Sequence, residues 1–374
     1  MMTSRERLLK VLNGELPDRV PVSTYELCGF NSKAFENNDK SYESLMQKIR
    51  KDTDCVCMWE PASNAKFLES AFPVEMEIKQ WRENDSQITH KIVHTPKGDI
   101  TNTTRVIDRV HTVWQTEHLC KNIDDVERAL SVPYTPLKYD VSDYDRIKSE
   151  VGNRGIIMAS LSDALCVCAD LMSFGDYTIW AMTETDHFVK TLEIVHSRIM
   201  ENLKRMLDVN VVDLYRICGP EYASPPYMPP QLFDKFVVPF VTEMIELIHS
   251  RGAKVRLHCH GKIGKILDSI CKTGCDAIDP CEAPPDGDIS LSEVKKRVGD
   301  NICIFGNIQL KLLETASVVE IENAVCNCMD AAKNGGRYVI MPTAAPINSP
   351  LSSQTEKNYN IFIDAALKLG KYKE

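Results

Sequence analysis

Short apolar runs alternate with helical patterns along most of the chain. Eight of these runs have the length and composition of buried strands: Val20–Glu26, Thr53–Trp59, Gly155–Leu161, Val211–Gly219, Lys254–Gly261, Asp276–Glu282, Asn301–Ile308 and Arg337–Ala344. Amphipathic patterns such as Leu232–Ile248 lie between them and predict helices. Strands joined by right-handed helical crossovers favour a single α/β domain, a (β/α)8 TIM barrel. A doubly wound open sheet usually carries a glycine-rich phosphate turn, which this sequence lacks.

Two segments depart from this alternation. Thr3 and Glu6 have the spacing of a capping box before an apolar stripe, which predicts an N-terminal helix. Residues 74–117 alternate polar and apolar side chains around a turn at 96–99, which predicts an antiparallel β-ribbon inserted after the second strand. Because loops after strands line the active face of a barrel, the ribbon would cover the site or dock a partner. A decorative or homodimer-forming ribbon is the alternative. We expect residues 1–374 to form one barrel with this insertion.

Composition narrows the class of protein. The chain has 374 residues, of which 43% are hydrophobic and 26% charged, as in ordinary globular enzymes. Its 44 Lys and Arg against 53 Asp and Glu argue against nucleic-acid binding. No apolar stretch resembles a signal peptide or a membrane span, so we expect a cytoplasmic protein without membrane contact. The 14 cysteines lack paired Cys-x-x-Cys motifs and are predicted to be free thiols.

Polar side chains gather at the predicted carboxyl ends of the strands, where barrel active sites lie. His258 and His260 are two residues apart on one strand, so both point into the barrel mouth. Two imidazoles suit zinc, and Glu282 and Glu221 are candidates for a further ligand or a general base. The residues leave an alternative open, in which two hydrogen-bonded histidines bind an anionic substrate without metal.

Side chains at other strand ends are expected to shape the substrate pocket. These are Tyr25, Trp59 and Asn307. Proline-rich turns follow both Glu221 and Glu282, so these two carboxylates should be held more firmly than ordinary loop acids.

Several motifs together resemble one superfamily. The chain is similar to the uroporphyrinogen decarboxylase superfamily over almost its whole length. The segments that carry this resemblance are 4–9, 17–22, 95–98, His258-x-His260-Gly261, 282–288, Gly306-Asn307-Ile308 and 335–338.

The resemblance implies one of two activities. The decarboxylases of this superfamily bind porphyrinogen carboxylates with an arginine-rich segment after the first strand, whereas residues 23–30 here contain no arginine. The other branch consists of methyltransferases that work with methylcobamide on a corrinoid protein and hold zinc with a His-x-Cys pair and a later cysteine. Here His258 matches, His260 replaces the first cysteine, and residues 341–345 offer no thiol.

We therefore expect a zinc-dependent methyltransferase that moves a methyl group between a small molecule and a corrinoid on a partner protein. In this interpretation His258, His260 and Glu282 hold zinc, and Glu282 and Glu221 are the catalytic candidates. A decarboxylase of a porphyrinogen or a smaller acid, and a non-catalytic barrel that binds a corrinoid or a metabolite, are the alternatives.

Overall fold

A computed structural model describes residues 2–372 of the chain. The strands in this range are β1 Cys55–Met58, β2 Ala62–Ser63, β3 Met76–Glu83, β4 Ser86–Thr95, β5 Gly98–Ile107, β6 Trp114–Glu117, β7 Tyr139–Asp140, β8 Gly155–Ser162, β9 Leu214–Cys218, β10 Lys254–Cys259, β11 Ala277–Pro280, β12 Cys303–Ile308 and β13 Tyr338–Pro342.

The helices lie mainly between strands of the central sheet, as α/β crossovers require. They are α1 Ser4–Leu12, α2 Glu43–Asp52, α3 Ile123–Leu130, α4 Tyr144–Val151, α5 Ala164–Leu171, α6 Phe174–Thr183, α7 Thr185–Val209, α8 Pro230–Phe236, α9 Val238–His249, α10 Leu267–Lys272, α11 Leu291–Val298, α12 Leu310–Thr315, α13 Val318–Ala332 and α14 Ser353–Leu369. Across residues 2–372, no helix combines the length and the apolar character needed to cross a membrane.

The central sheet is parallel, and its seven strands run in the order β1-β8-β9-β10-β11-β12-β13. Six of these strands fall within predicted ones and β8 extends its predicted strand by one residue, so the α/β architecture with a barrel-like parallel sheet is confirmed. The predicted helix Leu232–Ile248 is divided into α8 and α9 at Val237. Pro239 explains the break, because proline removes an amide donor and its ring collides with the preceding turn.

The predicted first strand, Val20–Glu26, is wrong. Only Val22 forms a β-bridge, to Ile340 of β13. The amide of Val22 donates to the buried carboxylate of Asp54 at 2.8 Å instead of extending the ladder, and the chain turns at Tyr25, where φ is +58°. The backbone of residues 21–23 nevertheless bonds to edge strand β13 and to the residue before edge strand β1: Ser23 N donates to Ile340 O at 3.0 Å, and Asp54 N donates to Val22 O at 2.8 Å.

The amino-terminal helix closes one end of the barrel interior. The capping box of Thr3 and Glu6 is present, so this prediction is confirmed. The apolar side of α1 packs into a buried cluster with inward-pointing strand residues such as Val56 and Phe305. The 14 cysteines are free thiols and most of them are buried, as predicted. With this end filled by side chains, the opposite end, where the strands reach their carboxyl termini, is the open one.

A second sheet occupies the region where the ribbon was predicted. The strands β3, β4, β5 and β6 pair antiparallel in that order, with β3 at one edge. Val93 and Ile100 are buried, whereas nearly all of β3 is exposed. The amide of His111, between β5 and β6, donates to Ile347 O at 2.8 Å. Since Ile347 follows β13, one end of this sheet lies beside the carboxyl ends of the parallel strands.

Candidate active site

The two histidines lie together at the carboxyl end of β10, as the alternation along the strand predicted. Their ring centroids are 4.5 Å apart and the rings are perpendicular. His258 belongs to the buried layer of the barrel, and 37% of the side chain of His260 is exposed. The pair therefore spans the transition from the closed interior to the mouth.

His258 is held by a buried carboxylate. Its Nδ1 lies 3.0 Å from Oδ2 of Asp279, which is in register with it on the neighbouring strand β11. Burial lowers the pKa of His258, and the charge of Asp279 offsets only part of that effect. Burial alone would raise the pKa of Asp279, but Arg256 and His258 outweigh it and hold that pKa below its usual range. A neutral His258 beside an ionised Asp279 follows.

His260 has a different partner. Its Nδ1 is 3.0 Å from Oε1 of Glu282, and Oε2 of Glu282 accepts the amide of Gly261 at 2.8 Å. Burial opposes a charge on His260, but the hydrogen bond and charge of Glu282 raise its pKa above the ordinary value. Despite burial, the same bonds lower the pKa of Glu282. Within this second pair, at the rim of the mouth, Glu282 favours the protonated form of His260.

The residues in this arrangement do not fit a zinc site. Zinc in catalytic sites takes three protein ligands and keeps one open position. Here Glu282 lies on the Nδ1 side of His260 and also accepts the amide of Gly261, so it is not beside the free Nε2 atom of His260. Within residues 2–372, no group of three His, Cys, Asp or Glu side chains is placed to hold a metal ion. Glu282 acts as the hydrogen-bond partner of a histidine.

Glu221 and Tyr25 approach the same centre from other segments of the chain. Glu221 follows β9, and its Oε2 accepts the amide of Gly219 at 3.0 Å. Its negative charge acts on His258 in the direction that raises the pKa of the histidine. The ring of Tyr25 lies 6.3 Å from the ring of His258.

Trp59 and Asn307 are each bound to other parts of the fold. The indole of Trp59 donates to Asp143 at 2.9 Å, and its ring packs against Tyr144. The amide of Asn307 donates to Cys281 O at 2.7 Å and accepts from the thiol of Cys328 on α13. A substrate-binding role for Asn307 would require it to leave these partners.

Sequence reasoning missed two buried arginines and did not select Asp279. Arg216 on β9 is in register with Arg256 on β10, and both are almost completely buried. Nη1 of Arg216 donates to Glu26 at 2.8 Å and Nη2 to Tyr25 Oη at 2.6 Å. Nε of Arg256 lies 3.1 Å from Oδ1 of Asp279. The signal for Arg256 was present in the sequence, because it precedes His258 by two residues and therefore shares its face.

Three cavities surround the mouth. The largest, about 410 Å³, is lined by Phe30, Trp59 and Glu60. A second of about 300 Å³ includes Glu26 and Phe35 in its wall, and a third of about 230 Å³ is lined by the ends of β8. Volumes of this size suit small molecules.

These features belong to a known family. Residues 112–353 match the family model described as "Uroporphyrinogen decarboxylase (URO-D)". The chain is a member of the uroporphyrinogen decarboxylase family, as its motifs predicted.

Relatives in this family include both kinds of enzyme. A methylcobamide:CoM methyltransferase, MtaA, from Methanosarcina barkeri is 25% identical over 162 residues, which are 43% of this chain and 45% of that relative. A uroporphyrinogen decarboxylase from Aliivibrio salmonicida is 25% identical over 145 residues, 38% of each chain. The match thus spans less than half the length of either relative. The solved structure of a methyltransferase from Methanosarcina mazei aligns over 98% of this chain and 99% of that protein's chain. The TM-score is 0.62 at 17% identity, which shows that the two chains have the same fold.

Proposed function

We propose that this protein is a methyltransferase that moves a methyl group between a small methylated substrate and a corrinoid cofactor presented by a partner protein. The observation that carries the proposal is the pair of adjacent histidine–carboxylate units, His258 with Asp279 and His260 with Glu282, at the mouth of the barrel. Family membership and the similarity to a methylcobamide-dependent relative support methyl transfer as the reaction.

The imidazolium of His260 supplies the proton that methyl removal requires. When a methyl group leaves oxygen or nitrogen, that atom gains an electron pair. Nδ1 of His260 is engaged by Glu282, so Nε2 is the nitrogen that faces the leaving atom and transfers its proton to it. The raised pKa favours the form of His260 that carries this proton. General acid catalysis of this kind accelerates reactions by about 10² to 10⁴-fold.

His258 orients the centre. Its Nδ1–H donates to Asp279, which fixes the neutral ring with Nε2 as an acceptor. An acceptor beside the donor of His260 is able to bind a substrate hydroxyl or amine and to turn the methylated atom toward His260.

The corrinoid would supply the cobalt centre that accepts or donates the methyl group. The cavities at the mouth, about 410, 300 and 230 Å³, suit a small substrate. The lack of arginine in residues 23–30 disfavours a porphyrinogen substrate. Zinc bound by His258, His260 and Glu282 would require Glu282 to leave Gly261 and His260, so no step is assigned to a metal.

Methyl transfer to reduced cobalamin tests this proposal. Free cob(I)alamin replaces the corrinoid protein, an O-methylated phenol and a methylamine serve as donors, and the absorbance of methylcobalamin reports the product. The reverse reaction starts from methylcobalamin. We expect His260→Gln to lower the rate by about 10² to 10⁴-fold, because glutamine cannot supply the proton. Metal analysis of the same samples reports whether activity follows zinc content.

His249→Gln is the matched control. His249 forms a similar pair with Asp276 at 2.7 Å, at the end of α9. It should retain full activity. Equal rates for the wild-type protein and His260→Gln would refute the role of His260. Release of carbon dioxide from a carboxylic acid without added cobalamin, with no methyl transfer in either direction, would replace the proposal with a decarboxylase.

A further inference from the structure

The buried layer beneath the histidines carries more positive than negative charge. Arg216 and Arg256 are 4% and 2% exposed, whereas Asp279 is the one fully buried carboxylate in contact with Arg256. In the described chain the Nε atoms of both arginines and Oδ1 of Asp279 are buried without a hydrogen bond. Because a buried charge is costly unless it is paired, one guanidinium lacks a buried partner.

The present partner of Arg216 comes from the rim. Glu26 binds Nη1 of Arg216 at 2.8 Å, and 48% of its side chain is exposed, compared with 5% for Arg216. Separating an exposed carboxylate such as Glu26 from Arg216 costs little free energy for the carboxylate, since water solvates it readily. Glu26 also lies in the wall of the 300 Å³ cavity, beside the apolar side chains of Leu27, Phe35 and Met58. The wall of this cavity therefore contains the partner of the buried guanidinium beside apolar side chains.

We propose that the carboxylate of the substrate replaces Glu26 on Arg216, so that the substrate of this enzyme is a small carboxylic acid with an apolar body. A guanidinium binds a carboxylate with two parallel N–H donors, which fixes direction as well as charge. Tyr25 joins this anchor to the reacting centre, since its hydroxyl accepts from Arg216 at 2.6 Å and its ring lies 6.3 Å from that of His258. This inference rests on the proposed function where it calls the bound acid a substrate for methyl transfer. The binding of a carboxylate to Arg216 does not depend on that reaction.

Two further carboxyls near the cavity oppose an incoming anion. Burial raises the pKa of Glu36 to about 7, and burial also raises the pKa of Glu60. At pH 6, below the value of about 7 for Glu36, the repulsion from Glu36 is weaker than at neutral pH. Binding is therefore best measured there.

Titration calorimetry with benzoate and benzamide, which have nearly the same shape and differ in charge, tests the proposal at pH 6. We expect benzoate to bind at least about tenfold more tightly than benzamide, as charge-assisted hydrogen bonds imply. Glu26→Gln should tighten benzoate about tenfold or more, because it removes the competing carboxylate. Arg216→Met should abolish the preference for benzoate. If that variant fails to fold, Glu26→Gln still decides the question, because Glu26 is half exposed.

Glu15→Gln is the control, since Glu15 forms an exposed pair with Lys10 beside α1, at the far end of the barrel. It should leave benzoate binding unchanged. Equal affinities for the two probes, no benzoate binding at millimolar concentration, or weaker binding in Glu26→Gln would overturn the inference. None of these measurements involves cobalamin. If benzoate bound as expected but no methyl transfer were found, the carboxylate site at Arg216 would be supported and only the proposed reaction would be refuted.

Discussion

Replacing Asp279 by asparagine removes the negative charge on which the buried polar layer depends. The substitution preserves the volume of the side chain, so it creates no cavity, and the amide oxygen can still accept a bond from His258. What is lost is the counter-charge of Arg256, whose side chain is 2% exposed, against 0% for Asp279. Breaking a buried pair by removing one partner costs about 3–5 kcal/mol. Since the hydrogen bond to His258 is retained, we expect a loss at the lower end of this range, about 3 kcal/mol in the free energy of unfolding.

Thermal and urea unfolding measure this cost. For a chain of 374 residues, about 3 kcal/mol corresponds to a decrease in Tm of about 4 °C. The pKa of Asp279 lies below its usual value, so its contribution is present above pH 4 and is lost only as the pH falls through the folded-state pKa. The difference between variant and wild type should therefore be constant between about pH 6 and pH 8.

An exposed pair provides the comparison. Arg82 and Asp108 contact at 2.6 Å, but their side chains are 54% and 51% exposed. Asp108→Asn should cost less than about 1 kcal/mol. If Asp279→Asn lowered the free energy of unfolding no more than Asp108→Asn does, Asp279 would not act as a buried counter-charge to Arg256. The argument from buried charge would then be refuted.

Two further predictions concern carboxyls outside the histidine pairs. Burial raises the pKa of Glu36 from 4.5 to about 7, so the folded protein loses stability as the pH rises through this interval. Allowing for partial solvation, we expect Glu36→Gln to be about 1–2 kcal/mol more stable than the wild-type protein at pH 8 and equally stable at pH 4. Denaturant titrations at the two pH values measure this difference. Asp54 is fully buried and accepts from Arg7 and Arg19 at 2.6 Å each and from the amide of Val22 at 2.8 Å. Asp54→Asn should cost about 3–5 kcal/mol and speed hydrogen exchange in residues 20–24, and slow exchange there would contradict the role of Asp54 in holding this segment.

The parallel sheet was predictable because its strands are buried on both faces and read as continuous apolar runs. Pattern alone could not show that Val20–Glu26 fails as a strand, since the cause is a carboxylate from residue 54 that captures an amide of the segment. Hydrophobicity is a local property, whereas such a competing acceptor depends on the folded chain. The prediction therefore located the segment correctly and assigned the wrong structure to it.

The candidate site was also predictable only in part. Alternation along one strand placed His258 and His260 together, because that geometry is local. Their partners depend on the register between strands, which puts Asp279 opposite His258 and leaves Glu282 for His260. Asn307 shows the remaining limit: a position at a strand end does not determine whether the side chain turns toward the mouth or toward the helix behind it.

The exposed edge strand β3 has a consequence for behaviour at high concentration. An eight-residue strand with free amides and with Ile78 and Trp81 exposed by 58% and 45% is a template on which another chain can add. Charged side chains interrupt it at positions 77, 79, 82 and 83. Stray strands would have to bury these charges to pair, which protects against aggregation. We therefore expect these four side chains, which take no part in the proposed chemistry, to oppose aggregation through β3, so that neutralising them would lower the concentration at which the protein aggregates without lowering the activity of each molecule.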